Sequence, residues 1–247
     1  MHHFFVGPEQ IADGAVQIVG PDVNHMKNVL RMRPGEEFLV SGGGRDLLCA
    51  VESLEGQTVS ARILGEQPSR ELPASIWLFQ GLPKSDKMEL IIQKAVELGA
   101  AGIVPVATKN AVVKLDAKKE ESRVRRWQAI AESAAKQSKR SLVPEIGRVL
   151  SFKEAVAHVE NEGFDLRLIP YENERGMSAT REVFEQADKA KKIAVFIGPE
   201  GGFDESEVAA AKAADILPVS LGSRILRTET AGLAVLSALM LRLEGGI

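Results

Sequence analysis

The segment that most restricts the fold of this 247-residue chain lies between 193 and 243. There the apolar run Ile193-Ala194-Val195-Phe196-Ile197 enters Gly198-Pro199-Glu200-Gly201-Gly202-Phe203. The pattern then recurs. Ile216-Leu217-Pro218-Val219-Ser220 leads into Leu221-Gly222-Ser223-Arg224-Ile225-Leu226-Arg227-Thr228-Glu229-Thr230-Ala231, and a long apolar helix follows. Short apolar runs punctuated by Gly and Pro read as strands buried on both faces of a parallel sheet, which places ligand loops at the carboxyl ends of its strands. Two such loops in succession predict a small-ligand site.

Upstream the same alternation holds back to residue 75. It predicts strands over 75–80, 102–106, 165–170, 193–197 and 216–220, and helices over 85–98, 120–139, 151–160, 179–189, 204–214 and 229–243. Strands separated by helices imply a mainly parallel sheet covered on both faces. Residues 1–66 differ, with short runs at 37–40, 46–51 and 58–63 set between Gly-rich turns, as in a small β domain. Gly42-Gly43-Gly44 is a hairpin and not a phosphate cradle, since Leu47 stands where a G-x-G-x-x-G pattern needs its last glycine. The proline-bearing stretch 65–74 has no apolar period and marks the boundary between domains at 1–70 and 74–247.

The chemistry of the loops narrows the ligand. Gly198, Gly201 and Gly202 let backbone approach closely, while Glu200, Asp204, Glu205 and Glu207 oppose a phosphate, so a neutral or cationic ligand fits better. Asp204-Glu205-Ser206-Glu207 has the capping-box pattern of a helix start. The second loop mixes Leu221, Ile225 and Leu226 with Arg224, Arg227 and Glu229, so one part can enclose a ring while another faces polar chemistry. Lys84 and Lys87 sit at another strand's carboxyl end, where a site could use them, although Ser85 or Asp86 reads first as a helix cap. The last helix is apolar on nearly every face, which predicts a twofold dimer covering what its own sheet leaves bare.

A net charge of −3 argues against indiscriminate coating of nucleic acid, yet local patches stand out. Lys27, Arg31 and Arg33 lie in a segment without acids, and a helix over 22–32 would put Lys27 and Arg31 on one face. Between 109 and 148, eleven Lys or Arg stand against five Asp or Glu, with Gln137, Ser138, Lys139 and Arg140 crowding donors together. The single Cys49 excludes an internal disulfide and fits a reducing compartment. No run is long enough to span a membrane and none reads as a signal peptide, which places the protein in the cytoplasm. The four histidines show no ligand spacing, so no metal is expected.

With these residues assembled, the paired motifs Gly198 to Phe203 and Leu221 to Ala231 resemble the RsmE family of ribosomal RNA methyltransferases. His25 to Gly35 and Gln137-Ser138-x-Arg140 extend the resemblance over the whole chain. It implies a PUA-like β-barrel followed by a SPOUT α/β domain with a carboxyl-terminal trefoil knot, S-adenosylmethionine as methyl donor, and N3 of one uridine in 16S ribosomal RNA, naked or in the small ribosomal subunit, as acceptor. Pro170, Gly198, Gly201, Leu221, Gly222, Ile225 and Leu226 become cofactor contacts. Glu229 becomes the candidate base, with Arg224 or Arg227 stabilising charge on the uracil oxygens. Lys27, Arg31, Arg33, Arg123, Lys139 and Arg140 become RNA contacts. The cofactor loops leave open a SPOUT enzyme acting on ribose 2′-oxygen or another base, and an assembly factor whose methyl-transfer site is idle.

Overall fold

The computed structural model describes residues 1–113, 115–171 and 176–246. The chain divides into two compact units, Met1–Glu71 with Ala135–Val143, and Leu72–Ala134 with Pro144–Ile247. Residues 135–143 thus return to the first unit, a feature that no single boundary near residue 70 conveys.

The first unit is a six-stranded sheet in the order β1-β4-β5-β6-β3-β2. Its strands are β1 (His3–Phe5), β2 (Ile11–Ala12), β3 (Ala15–Val19), β4 (Glu37–Gly42), β5 (Arg45–Ser53) and β6 (Thr58–Gln67). The first three, of two to five residues each, are too short for the sequence pattern to show. Alternate residues Val16 and Ile18, Phe38 and Val40, Leu47, Cys49 and Val51, and Val59 and Ala61 meet in one core, as period-two side chains must. Gly43 and Gly44 close the β4–β5 hairpin with φ of 58 and 74, the left-handed pair that a two-residue turn between antiparallel strands requires.

The helix expected over 22–32 is shorter and of another kind. A turn of α-helix, α1 (Pro21–Asn24), runs into a π-helical turn at His25–Val29. Arg31 then leaves helical backbone altogether, with φ of 53. Lys27 and Arg31 therefore do not stack one turn apart, and the Lys27 ammonium donates to the Gly56 carbonyl at 2.6 Å.

The second unit is a parallel sheet in the order β10-β8-β7-β12-β11-β13, with β9 beside β8. Its strands are β7 (Ser75–Gly81), β8 (Ala100–Ala107), β9 (Glu145–Ile146), β10 (Leu150–Ser151), β11 (Leu166–Pro170), β12 (Lys192–Ile197) and β13 (Leu217–Val219). Its helices are α2 (Lys87–Glu97), α3 (Ala117–Ser138, whose end belongs to the first unit), α4 (Phe152–Asn161), α5 (Met177–Glu185), α6 (Glu205–Ala213) and α7 (Thr228–Leu243). Sequence reading did not anticipate the two-residue strands β9 and β10. The central pair β7 and β12 is buried on both faces: Phe79 and Phe196 stack at 4.7 Å within a core shared with α4 and α6, and α7 packs against the same two strands. Gly99, with φ of 91, ends α2 as a glycine just past a helix does. Asp204 caps α6 by accepting from the Ser206 amide while Glu207 reaches back to the Asp204 amide, the capping box read from the sequence.

Candidate functional site

Because β11 lies between β12 and β13, the chain leaves three neighbouring parallel strands side by side at their carboxyl ends. A cavity opens there, lined by Pro170 at the end of β11 and Tyr171 after it, Gly202 and Phe203 after β12, Ser220 to Leu226 after β13, and Ala231 of α7. A cavity at this end of a parallel sheet is where an open α/β fold holds its ligand. The sequence reading placed Pro170, Leu221, Gly222, Arg224, Ile225 and Leu226 at the site, and the structure brings all six to one wall. Ile225 is 83% exposed at the rim, an apolar side chain of a kind normally withdrawn from water.

Gly198 and Gly201 are not part of that lining. A side chain on Gly198 would press within 3.1 Å of the Gly202 backbone, and one on Gly201 within 3.1 Å of Asn110. Asn110 in turn donates its amide to the carbonyls of Gly201 and Gly202. These glycines therefore let the first loop fold tightly on itself and against the loop after β8. At the end of β7, any side chain on Gly81 would strike Pro199 at 2.6 Å. The residues that sequence reasoning overlooked are Tyr171, Phe203, Ser220, Ser223 and Ala231. Each adjoins a residue it had named or lies inside the quoted motifs, and only the strand order shows that they converge.

The three expected catalytic residues separate into two environments. Arg224 and Arg227 are exposed and form no ion pair with a described residue. Glu229 is mostly buried, and its Oε2 makes no hydrogen bond but lies 3.3 Å from the Lys87 ammonium. The same ammonium is 3.0 Å from Glu200 Oε1 of the first loop. Glu200 is further held by the Lys84 amide, which donates to both its oxygens. Burial alone would raise the Glu200 pKa, but the bonds from Lys87 and from backbone amides outweigh it and hold the carboxyl below its ordinary value. Glu229 thus pairs with Lys87, while Arg227, two positions before it, is exposed. Asp86 occupies the N-cap position of α2, but its side chain makes no capping bond.

Of the cations between 109 and 148, most are engaged. Lys119 pairs with Asp116, Arg125 with Glu121, Arg126 with Glu89, Arg148 with Glu154, Lys109 with Asp204 and Lys136 with Asp22. Arg140 corrects an expectation. It is 4% exposed and forms an ion pair with Glu71, whose carboxylate also accepts from the Ser141 and Leu142 amides. Its guanidinium is sequestered inside the first unit, so it is no phosphate contact. Arg31, Arg33, Arg123 and Lys139 are exposed, Lys139 in left-handed backbone with φ of 57 just past α3. No helix among the described residues is long and apolar enough to cross a membrane.

Comparison with known proteins matches this geometry to one group. Residues 70–240 match the model of an RNA methyltransferase domain, and residues 19–64 that of an RNA methyltransferase PUA domain. The chain is 38% identical to ribosomal RNA small subunit methyltransferase E of Bacillus subtilis, over 92% of this chain and 90% of that one. It is 33% identical to the protein of that name from Mycobacterium tuberculosis, over 91% and 86%. Among solved structures it resembles a ribosomal RNA small subunit methyltransferase E from Neisseria gonorrhoeae bound to S-adenosyl methionine, with a TM-score of 0.78, 34% identity and 98% of each chain covered. A putative methyltransferase from Legionella pneumophila, in complex with the same cofactor, follows with a TM-score of 0.80, 29% identity and 97% of each chain.

Proposed function

The chain belongs to the ribosomal RNA small subunit methyltransferase E family, and from that premise we propose that it methylates N3 of one uridine in 16S ribosomal RNA at the cavity between β11, β12 and β13. Its fold is a PUA unit followed by a SPOUT α/β domain, and it is an S-adenosylmethionine-dependent ribosomal RNA methyltransferase. We read 193–243 as the knotted segment of that fold. The observation that carries the proposal is the lining itself. Leu221, Leu226 and Phe203 offer apolar surface beside the backbone of Ser220 to Ser223, and among the described residues Arg224 is the only cation in it. That surface suits a ligand with an aromatic ring and no phosphate.

In this reading Pro170, Leu221, Gly222, Ile225 and Leu226 hold the cofactor, and Gly198 and Gly201 shape the loop that closes on it. When bound, S-adenosylmethionine supplies an electrophilic methyl group whose bond to sulfur breaks, its electron pair returning to sulfur, as the bond to N3 forms. Glu229 takes the N3 proton, leaving the lone pair that attacks. Arg224 or Arg227 faces the negative charge spread over the uracil oxygens. Lys27, Arg31, Arg33, Arg123 and Lys139 grip backbone phosphates while the target base is turned out of its stack.

The second copy of a dimer would occupy the apolar groove formed by Met177, Phe184, Leu221, Ala234 and Ala238. Only Thr228, Gly232, Val235, Leu236 and Leu239 of α7 are buried within the unit, and Leu241 is left 43% exposed. We place the protein in the cytoplasm, with its ribosomal substrate.

The test is incubation with labelled S-adenosylmethionine and either naked 16S ribosomal RNA or small subunits, with the methylated nucleoside identified by mass spectrometry. N3-methyluridine is expected, and methyl on ribose or on another base would replace the acceptor assignment. Glu229→Gln should bind cofactor as the parent does and lose about 10²-fold or more in turnover. Sedimentation across a dilution series should show a dimer, and a monomer throughout would remove the second copy.

A further inference from the structure

Lys87 lies outside the two motifs, yet its ammonium joins them. It stands 3.0 Å from Glu200 in the first loop and 3.3 Å from Glu229 at the start of α7. Both carboxylates are largely withdrawn from solvent, with side-chain exposures of 28% and 19%. Glu229 Oε2 is buried without a hydrogen bond, so a nearby opposite charge is what compensates its removal from water. Lys87 is the cation in contact with it.

We propose that Lys87 is a positioning residue for methyl transfer, bridging Glu200 and Glu229 so that the Glu229 carboxylate is kept in place and in its basic form. The proposal deepens the reading of Glu229 as proton acceptor and rests on it.

The bridge is held from three elements. Lys87 is the first residue of α2, and the preceding Lys84 amide donates to Glu200. The Glu200 loop is closed by a bond from the Gly202 amide to the Pro199 carbonyl. Thr228, next to Glu229, is anchored to Gly198 at 2.6 Å. Of the other charged groups on these elements, Glu89 pairs with Arg126 and Asp204 with Lys109, while Lys84, Asp86, Arg224 and Arg227 are exposed. The bond to Glu200, with the charge of Glu229 adding to it, raises the Lys87 pKa, so the bridge stays cationic wherever the enzyme is assayed. Glu200 and Glu229 share this one cation, so removing either partner changes the electrostatics of the other.

The experiment is kcat against pH for the full-length protein, with saturating S-adenosylmethionine and small ribosomal subunits, comparing the parent with Lys87→Met, Lys87→Arg, Glu200→Gln and Glu229→Gln. In Lys87→Met the acid limb should move to higher pH by about one unit, and Lys87→Arg should restore it. In Glu200→Gln the limb should move to lower pH, because Lys87 then serves Glu229 alone and a like charge is gone. Opposite displacements cannot come from general loss of folding, and a urea midpoint for each variant separates any such loss. An acid limb that stays in place in Lys87→Met overturns the positioning role, whatever the overall rate does. Parental turnover in Glu229→Gln is a different failure, which removes the base assignment and this proposal with it.

Discussion

The Thr228 hydroxyl donates to the Gly198 carbonyl at 2.6 Å and accepts from the Gln80 amide at 2.9 Å. One buried side chain thereby joins the end of β7, the first loop and the first turn of α7. The two motifs are separate in sequence, and this hydroxyl makes them one site.

Thr228→Val keeps the shape and removes the hydroxyl. The Gly198 carbonyl then loses this donor and the Gln80 amide keeps only its bond to the Gly81 carbonyl, so the expected cost is about 1–3 kcal/mol, read as a lower urea midpoint. Cofactor affinity should fall with it, because the loop from Gly198 loses its tie to α7. Thr228→Ser should recover both. Unchanged stability in the valine variant would mean that water takes over both bonds.

Arg140 and Arg31 should behave oppositely. Arg140→Ala leaves the Glu71 carboxylate buried beside only backbone donors, and about 3 kcal/mol of stability should be lost. Its effect on RNA affinity should be no greater than that loss explains. Arg31→Ala removes an exposed side chain and should leave stability alone while lowering the salt slope of RNA binding by about one. A slope unchanged in Arg31→Ala would return that segment to ordinary surface.

How much of this could be read from the sequence depends on the range of the interaction. The capping box at Asp204, the glycine after α2 and the two-glycine hairpin were legible because each is fixed within a few residues. The parallel sheet was legible because strands buried on both faces need continuous apolar runs such as Ile193 to Ile197. Lys87 was visible as a cation at a strand end, but its partners lie 113 and 142 positions further on (200 − 87 and 229 − 87), and no local pattern pairs them. Arg140 failed for the same reason, since its partner Glu71 is 69 positions away. Exposed and sequestered cations look alike in a composition count.

Asp204 gives a pH signature at the cap of α6. Its hydrogen bonds from Ser206, then from Lys109, bring its pKa down to about 2. A carboxyl whose folded pKa lies below its unfolded one stabilises above the unfolded value and loses that contribution as pH falls through the folded one. The stability difference between the parent and Asp204→Asn should therefore be full at neutral pH and should close between about pH 4 and pH 2, followed by circular dichroism in urea. A difference independent of pH would show that the cap works through geometry alone.

Cys49 sets the opposite limit, at high pH. Its thiol lies in the core of the first unit with Phe38 and Val40, fully shielded, and burial pushes its pKa up to about 11. The thiolate is the species that reacts with disulfide reagents. The native protein should therefore be inert to a colorimetric disulfide at pH 8 and titrate as one thiol in guanidinium. The linkage runs with the raised pKa. Above roughly pH 9 the unfolded chain gives up a proton that the folded chain keeps until about 11, so stability should decline across that window. Cys49→Ala removes this decline while leaving a small cavity of its own, so its stability curve should be flatter with pH than the parent's. Rapid labelling of the native protein at pH 8 would show that the first unit opens locally far more often than its packing suggests.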